Sequence, residues 1–222
     1  MCGDRIPEFE MRPPRRDLAG RFVALRPLEP DGDAAVLFAG AHGTPRHDAI
    51  WDHMGYGPFE SAASLAETMR GWAASVDPMW VAVTGADDGE PLGVASYLNL
   101  DPAHRRVEIG HIWYTLGAQR TAANTEATYL MAQEAFSCGA RRVEWKCDAL
   151  NVASRGAALR LGFAFEGVFR NHMIVKDRNR DTAWYALTDA DWPEVGQVLE
   201  RWLYERDGGL PAFSLTAEMA RR

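Results

Sequence analysis

The order in which hydrophobic periodicity changes along the chain is the feature that most restricts its fold. Three strand-like runs follow one another, and the connections between them are short and rich in turn-forming residues, at 80–84, 92–98 and 107–114. Connections of this kind join antiparallel neighbours, so the three runs predict a meander. Helical and strand-like runs then alternate, with helices at 124–138 and 151–161 and strands at 142–147, 163–170 and 182–187. The sequence therefore predicts a mixed α/β sheet of about seven strands.

The two ends of the chain are predicted to lie outside this domain. Residues 1–20 combine prolines with arginines and offer few apolar anchors, which indicates an N-terminal arm. Glycine and proline at 207–211 stop the last helical run, so 205–222 are expected to form a tail that the core does not need. The domain is predicted to span 21–204, and its remaining elements are a strand at 21–28 and helices at 30–41, 61–77 and 191–203.

Composition restricts the class of partner and the compartment. The 222 residues include 24 Lys plus Arg against 31 Asp plus Glu, a net charge of −7 that argues against nucleic acid as the main partner. No apolar run approaches the ~20 residues that span a bilayer, and the first residues lack the apolar core of a secretory signal, so we expect a cytosolic protein without a membrane partner. The three cysteines form no CxxC pair, which indicates reduced thiols.

A cluster of histidine and aspartate at 42–53 raises the question of a metal site. Three His and two Asp fall within this segment. Metal ligands on regular structure usually recur at tight spacings, and the spacing of these histidines, i, i+5 and i+11, has no such repeat. We therefore expect no metal.

The segment 107–127 offers a candidate anion site. It consists of a strand, a loop of small residues that contains Arg120, and the start of a helix. The N-terminus of a helix presents unpaired N–H groups and the positive end of its dipole, which suits a phosphate. The alternative is an ordinary capped helix, in which Asn124 or Thr125 precedes Glu126.

The segment 146–167 carries a resemblance to a known family. It contains a strand end, Asn-x-x-Ser at Asn151 and Ser154, an Ala/Leu-rich helix, and Gly-Phe-x-x-Glu-Gly from Gly162 to Gly167. In this order the motifs resemble the GCN5-related N-acetyltransferases (GNAT), in the branch of the ribosomal-protein N-terminal acetyltransferases (RimJ/RimL-like). The resemblance extends over about 21–192.

The resemblance implies a fold and a cosubstrate. The expected GNAT fold is of the mixed, α+β-like α/β class, with mostly antiparallel strands, helices on both faces and a sheet splayed between its fourth and fifth strands. Acetyl-CoA, or another acyl-CoA, lies in the resulting cleft. The residues that match the family's CoA-binding positions are Ile112, Trp113 and Tyr114 for the pantetheine amides, Gln119, Arg120, Thr121, Ala122, Ala123 and Asn124 for the pyrophosphate, Asn151 for the pantetheine arm, and Ser154 near the thioester sulfur.

One departure from the family pattern concerns the pyrophosphate loop. The pattern Gln/Arg-x-x-Gly-x-Gly/Ala is altered at both small positions, Ala122 and Asn124. Ala122 keeps its N–H but makes a positive φ costly, and its Cβ crowds a phosphate. We expect either weaker binding or a remodelled loop.

Amide formation from a thioester needs a base and a proton donor rather than a nucleophilic side chain. Glu108, on the strand that lines the implied cleft, is our candidate base, and the alternative is a carboxylate on the wet face of its strand. Ser154 is the candidate donor to the departing thiolate, and the alternative is a helix-capping hydroxyl. His111, which is also consistent with a core imidazole, and His172 are reserve candidates that border the acceptor.

The segment between the first two helices is expected to form the acceptor wall. Trp51, Tyr56 and Phe59 can shape an apolar pocket, with acidic residues such as Asp52 attracting a cationic amine. The alternative places these aromatics in the core. The expected activity is N-acetyl transfer to a primary amine of a small molecule or a peptide N-terminus, and homodimers are frequent in the family. The alternative function is an acyl-CoA-binding sensor or subunit without turnover.

Overall fold

The computed structural model describes residues 13–207 and 210–221, without the side chains of 206 and 207. The strands are β1 (Leu18–Ala19), β2 (Val23–Pro27), β3 (Met79–Gly85), β4 (Pro91–Asp101), β5 (Arg106–Tyr114), β6 (Arg142–Asp148), β7 (Ala164–Val175), β8 (Arg178–Thr188), β9 (Arg206–Asp207) and β10 (Leu210–Pro211). The helices are α1 (Pro30–Ala41), α2 (Pro45–Trp51), α3 (Ala62–Ala74), α4 (Ala123–Ser137), α5 (Val152–Arg160), α6 (Trp192–Tyr204) and α7 (Leu215–Met219).

Eight strands form one sheet in the order β1-β2-β3-β4-β5-β6-β8-β7, and β9 pairs with β10 separately. The predicted antiparallel meander is confirmed, since β3, β4 and β5 are antiparallel neighbours. β5 and β6 are parallel and pair only at Arg106–Arg142, Val107–Val143 and Glu108–Glu144. Beyond Glu108 the two strands diverge, which confirms a splay between the fourth and fifth strands counted from β2.

Helices cover both faces of the sheet, as predicted, because the strands alternate between two apolar layers. On one face, Val143 and Trp145 of β6 share a core with residues of α4 such as Met131. On the other face, Trp113 of β5 joins a second core that includes Leu37 of α1. Even-numbered positions of β6 therefore face the side of α1, α2 and α3, opposite to α4.

A β-bulge interrupts β5 where the splay opens. Ser96 lies opposite Gly110, whereas Val94 lies opposite Trp113, so β5 contains one residue more than β4 over this stretch. His111 has a φ of +53° at the bulge. Bulges redirect side chains at the edge of a site, and this one sends the His111 ring toward α3 and β3.

Both predicted termini differ from expectation in the described residues. β1 pairs with β2 inside the predicted arm, and Arg16 forms an ion pair of 2.8 Å with Glu134 of α4; residues 1–12 lie outside the described residues. The predicted tail packs on the domain, because Leu215 and Met219 of α7 are 3% and 9% exposed and belong to the core. These two residues are four apart, so both lie on one face of α7 and reach the same layer.

Glu126 ties the start of the sheet to α4. Its side chain is buried, and its carboxylate accepts the backbone N–H groups of Arg21, Phe22 and Val23 at 2.8, 2.6 and 2.7 Å. A buried carboxylate is tolerable when N–H donors surround it. The contact holds the start of β2 against α4, the helix that follows the candidate anion-site loop.

Within the described ranges, no helix combines the length and the apolar character needed to cross a membrane.

Candidate active site

The divergence of β5 and β6 opens a cleft with a volume of about 1360 Å³. Its lining comes from β5, from the loop before α4, from the end of β6 and the start of α5, from α2 and the loop after it, and from the β7–β8 hairpin. Of the predicted site residues, the cleft brings together Asp52, Glu108, His111, Ile112, Trp113, Tyr114, Gln119, Arg120, Thr121, Ala122, Asn124, Asn151, Ser154 and His172. Ala123, Trp51, Tyr56 and Phe59 are outside this lining.

The loop before α4 takes a conformation that accommodates alanine. Ala122 is the N-cap of α4 with a φ of −70°, so the strain expected at this position does not arise. Arg120 adopts the positive φ instead, +61°. The Thr121 hydroxyl donates to the Ala118 carbonyl at 2.7 Å and accepts the Ala123 N–H at 3.2 Å. The loop therefore carries its positive φ at Arg120 and a negative φ at Ala122.

The first turn of α4 leaves polar groups directed at the cleft. The N-cap residue is Ala122, which makes no side-chain capping hydrogen bond, so the alternative in which Asn124 or Thr125 is the cap is wrong. Asn124 Oδ1 is buried and has no hydrogen-bond partner among the described residues. Ala123, which was predicted to belong to the pyrophosphate loop, is 3% exposed and packs in the core, and its N–H donates to Thr121 Oγ1. This end of the cleft therefore combines an unsatisfied buried amide oxygen with the N-terminus of a helix.

Arg160 brings a second cation to this end of the cleft. It lies at the end of α5, lines the cleft and donates to Thr125 Oγ1 at 2.8 Å, and burial lowers its pKa. The sequence reasoning missed this residue. The available signal was an arginine at the end of the Ala/Leu-rich helix that carries the Asn-x-x-Ser motif.

The Asn-x-x-Ser motif places two polar side chains on the same wall. Asn151 is the N-cap of α5 and accepts the Ser154 N–H through Oδ1 at 2.9 Å. The capping role therefore belongs to Asn151, and the alternative that Ser154 caps the helix is wrong. Ser154 Oγ accepts the indole N–H of Trp145 at 3.0 Å, and the Ser154 hydroxyl also forms a hydrogen bond with the Cys147 side chain.

Glu108 lies at the point where the sheet opens. It is 5% exposed, so the alternative of a solvated strand face is wrong. Its Oε2 accepts from Lys146 Nζ at 2.6 Å and from Asn99 Nδ2 at 2.7 Å. Burial raises the pKa of Glu108, and the attraction of Lys146 opposes this effect without cancelling it. Lys146 also lies 4.4 Å from the ring centroid of Trp184. Sequence reasoning missed both partners of Glu108.

His111 presents a neutral imidazole to the cleft. Its ring stacks on Trp80 at 4.5 Å between centroids, and Nδ1 lies 2.9 Å from Ser96 Oγ. Burial, followed by the positive charge of Arg180, lowers the pKa of His111 to about 4. The imidazole therefore carries no charge at neutral pH.

The three aromatics predicted for the acceptor pocket belong to the core instead. Trp51 is 1% exposed, donates its indole N–H to the Ala41 carbonyl at 3.0 Å and packs on Trp113. Tyr56 and Phe59 pack on the same apolar layer. The helix α2, which was not predicted, carries Trp51 into that layer, whereas the next residue, Asp52, is exposed and lines the cleft.

The three histidines of 42–53 contact different residues. His42 Nε2 accepts the Phe59 N–H at 2.9 Å, and burial lowers the pKa of His42. His47 lies 2.8 Å from the Thr44 hydroxyl, and His53 Nδ1 lies 3.1 Å from Asp148 Oδ2 at the end of β6. No group of three potential metal ligands occurs in the part of the chain that the structure describes. His53 and Asp148 instead connect the two walls of the cleft.

His172 lines the cleft from the β7 side. Its Nδ1 lies 3.0 Å from Thr182 Oγ1, and its ring is 5.9 Å from that of Trp184. The structure thus places His172 with Thr182 on the α1–α3 side of the sheet, and Ser154 with Trp145 on the α4 side. The cleft joins the two sides through the gap next to Glu108.

Comparisons with known proteins agree with this geometry. Residues 23–164 match the sequence model of the acetyltransferase (GNAT) domain. YdaF of Bacillus subtilis (strain 168), which carries the name of a ribosomal N-acetyltransferase, is 30% identical over 106 residues, or 47% of this chain and 57% of YdaF. The chain thus matches less than two thirds of the length of that relative.

Two solved structures extend the comparison to the whole fold. A GCN5-related N-acetyltransferase from Brucella melitensis is 34% identical, with a TM-score of 0.89 over 96% of this chain and 98% of the other. Mycobacterium smegmatis RimJ, in complex with CoA-disulfide, is 22% identical, with a TM-score of 0.68 over 80% of this chain and 87% of RimJ, and shares the fold.

Proposed function

We propose, from the premise that this chain belongs to the GNAT family of acetyltransferases, that it transfers an acetyl group from acetyl-CoA to a primary amine. The amine attacks the thioester directly, so no side chain forms a covalent intermediate. The observation that carries this proposal is the buried carboxylate of Glu108 at the opening between β5 and β6, in the same cleft as the Ser154 hydroxyl.

The chain's own residues suit a bound acyl-CoA. Among the described residues, no strand pairs with β5 on the β6 side beyond Glu108, so the N–H and C=O groups of β5 are available to the amides of a pantetheine arm. The first turn of α4, Arg120 and Arg160 supply N–H donors and positive charge for phosphates. The fold neighbour RimJ, which is in complex with CoA-disulfide, supports this assignment.

Glu108 fits the role of general base. An amine acceptor arrives as an ammonium ion and must lose a proton before it attacks. The raised pKa of Glu108 brings its basicity closer to neutral pH, and the hydrogen bonds from Lys146 and Asn99 fix the carboxylate while leaving Oε1 for the acceptor or a water. Ser154, whose hydroxyl accepts from Trp145, can donate its own hydrogen to the departing thiolate.

The acceptor is a peptide N-terminus or a small-molecule amine. Support for a peptide comes from the name of the relative YdaF, and the exposed acidic residue Asp52 at the mouth of the cleft suits a cationic group. The nearby pair of His53 and Asp148 contributes a further polar surface on this side.

The test combines thiol release with CoA binding. We expect acetyl-CoA to raise the melting temperature of the protein and at least one member of a panel of amines and peptides to elicit release of free thiol. Stabilisation by acetyl-CoA without thiol release across the panel would support the alternative function, in which the protein binds acyl-CoA without turnover. Absence of stabilisation would contradict both functions.

The variant Glu108→Gln tests, in the same assay, whether Glu108 is the general base. We expect kcat to fall by about 10²-fold with acetyl-CoA binding retained, because the amide keeps its size but cannot accept a proton. In the wild type, rate is lost as the pH falls through the raised pKa of Glu108, and this acidic limb disappears in the variant. Glu90→Gln, at an exposed position outside the cleft, is the matched control. Equal rates in wild type and Glu108→Gln would remove Glu108 from this role.

A further inference from the structure

Arg180 is partly buried and, unlike Arg26 and Arg142, has no counter-ion among the described residues. Arg26 pairs with Asp33 at 2.5 Å, and Arg142 pairs with Glu144 and Glu166 at 2.8 and 2.6 Å. For Arg180, no carboxylate of the described residues lies within ion-pair distance. Its Nε is buried and has no hydrogen-bond partner among the same residues.

The position of Arg180 puts this charge on the acceptor side of the cleft. Arg180 lines the cleft and lies on β8, two residues before Thr182 and four before Trp184, so the three side chains share one face of the strand. Trp184 lies below Lys146, and Thr182 contacts His172. Both contacts are on the sheet face of α1, α2 and α3, opposite to the face that carries Ser154.

The charge of Arg180 acts on the site. Burial has the largest effect on the pKa of His111, and the charge of Arg180 is the next cause that lowers it. Lys146, a cation on the same face, is already paired with Glu108. An uncompensated guanidinium in a partly buried cleft is costly unless an anion or water meets it, and its planar donors match a carboxylate.

We propose that Arg180 binds an anionic group of the acceptor, so that the preferred substrate of this enzyme is an amine that also carries a carboxylate. This inference rests on the proposed function and assigns the substrate class of the same site. The carboxylate can belong to a free amino acid or to an acidic side chain near a peptide N-terminus, and both present the same group to Arg180.

The experiment compares acceptors with and without this carboxylate. Alanine is paired with alaninamide, and a short peptide with glutamate at its second position is paired with the same peptide carrying glutamine. The kcat/KM ratio of the charged to the neutral member is measured for wild type, Arg180→Gln, Arg180→Lys and Arg178→Gln. Arg178 is exposed on the same strand outside the cleft and is the matched control.

We expect wild type and Arg178→Gln to favour the charged member of one pair by tenfold or more. Arg180→Gln should reduce this ratio by about tenfold, the size of one charge-assisted hydrogen bond, and Arg180→Lys should retain part of it because it keeps the charge. The pair that shows the effect identifies the source of the carboxylate. A wild-type ratio near one in both pairs, or an unchanged ratio in Arg180→Gln, would overturn the proposal.

Binding separates a failure of this inference from a failure of the proposed function. If acetyl-CoA stabilises the protein but no amine elicits thiol release, the transfer function fails, and the same four compounds are titrated calorimetrically in the presence of CoA. Tighter binding of a charged member that Arg180→Gln abolishes would still support the anion site. Equal binding of charged and neutral members would overturn it.

Discussion

The burial of His111 predicts a specific dependence of stability on pH. The pKa of His111 is about 4 in the folded protein, whereas an unperturbed histidine has 6.5. Above pH 6.5 the imidazole is neutral in both the folded and the unfolded chain, and it contributes no pH dependence. As the pH falls below 6.5, His111 binds a proton in the unfolded chain but stays neutral in the folded protein. The free energy of unfolding therefore falls until the pH reaches about 4.

The size of the effect follows from the two pKa values. At pH 5 the unfolded chain is almost fully protonated at this site and the folded protein is almost neutral, which corresponds to a loss of about 2 kcal/mol. The variant His111→Asn removes the titrating group, and asparagine tolerates the positive φ of this position. At pH 7.5 we expect the variant to be less stable than wild type, because it loses the stacking on Trp80 and the contact with Ser96.

The measurement is chemical denaturation of both proteins at pH 7.5 and pH 5. We expect the stability difference between wild type and His111→Asn to move by about 2 kcal/mol in favour of the variant at the lower pH. His104→Asn is the control, since the His104 side chain is 75% exposed. A difference that stays constant between the two pH values would refute the burial argument for His111.

Four further substitutions examine the CoA side of the cleft and the start of the sheet. Arg120→Ala should weaken acetyl-CoA binding by about tenfold, measured by calorimetry, if Arg120 contributes one charge-assisted bond to a phosphate; an unchanged Kd would place it outside the site. Ala122→Gly should leave this Kd within about threefold, because Ala122 already has a negative φ; a marked loss would mean that the loop depends on the methyl group. Ser154→Ala should lower kcat less than Glu108→Gln does, since water can protonate a thiolate, and a larger loss would reverse the assignment of roles. Gly20→Ala should lower the free energy of unfolding by about 2 kcal/mol or more, because its Cβ would lie 2.4 Å from the Glu126 carboxyl carbon; full stability in urea denaturation would contradict this.

The secondary structure and the motif positions could be predicted from the sequence because both depend on residues that are close together in the chain. The meander at β3, β4 and β5 follows from alternating apolar residues between turn-rich connections, and the bounds of α4 and α5 agree with the predicted helices to within one residue. The loop before α4 was identified by its small residues and its arginine. Local periodicity sets which face a residue occupies within its own strand or helix.

The partners across the cleft could not be predicted in the same way. Glu108 and Lys146 lie on different strands, and their contact depends on the parallel pairing of β5 and β6 stopping after three residue pairs. The bulge that turns His111 onto Trp80 depends on the register between β4 and β5. Register and divergence are properties of two strands at once, so neither has a signature in one stretch of sequence.

The predictions that differ from the structure concern residues whose burial depends on tertiary packing. A tryptophan such as Trp51 is equally suited to line a pocket and to fill a core. Only the packing of α2 against the layer that contains Trp113 shows that Trp51 belongs to the core. Leu215 and Met219 follow a glycine- and proline-rich stop that normally ends a domain, yet the chain turns back and buries them beside α5 and α6. By itself, the sequence determined which side chains could be buried in a core and which could take part in a reaction. The tertiary structure decided which of them meet, because burial and charge pairing depend on segments that are distant in the chain.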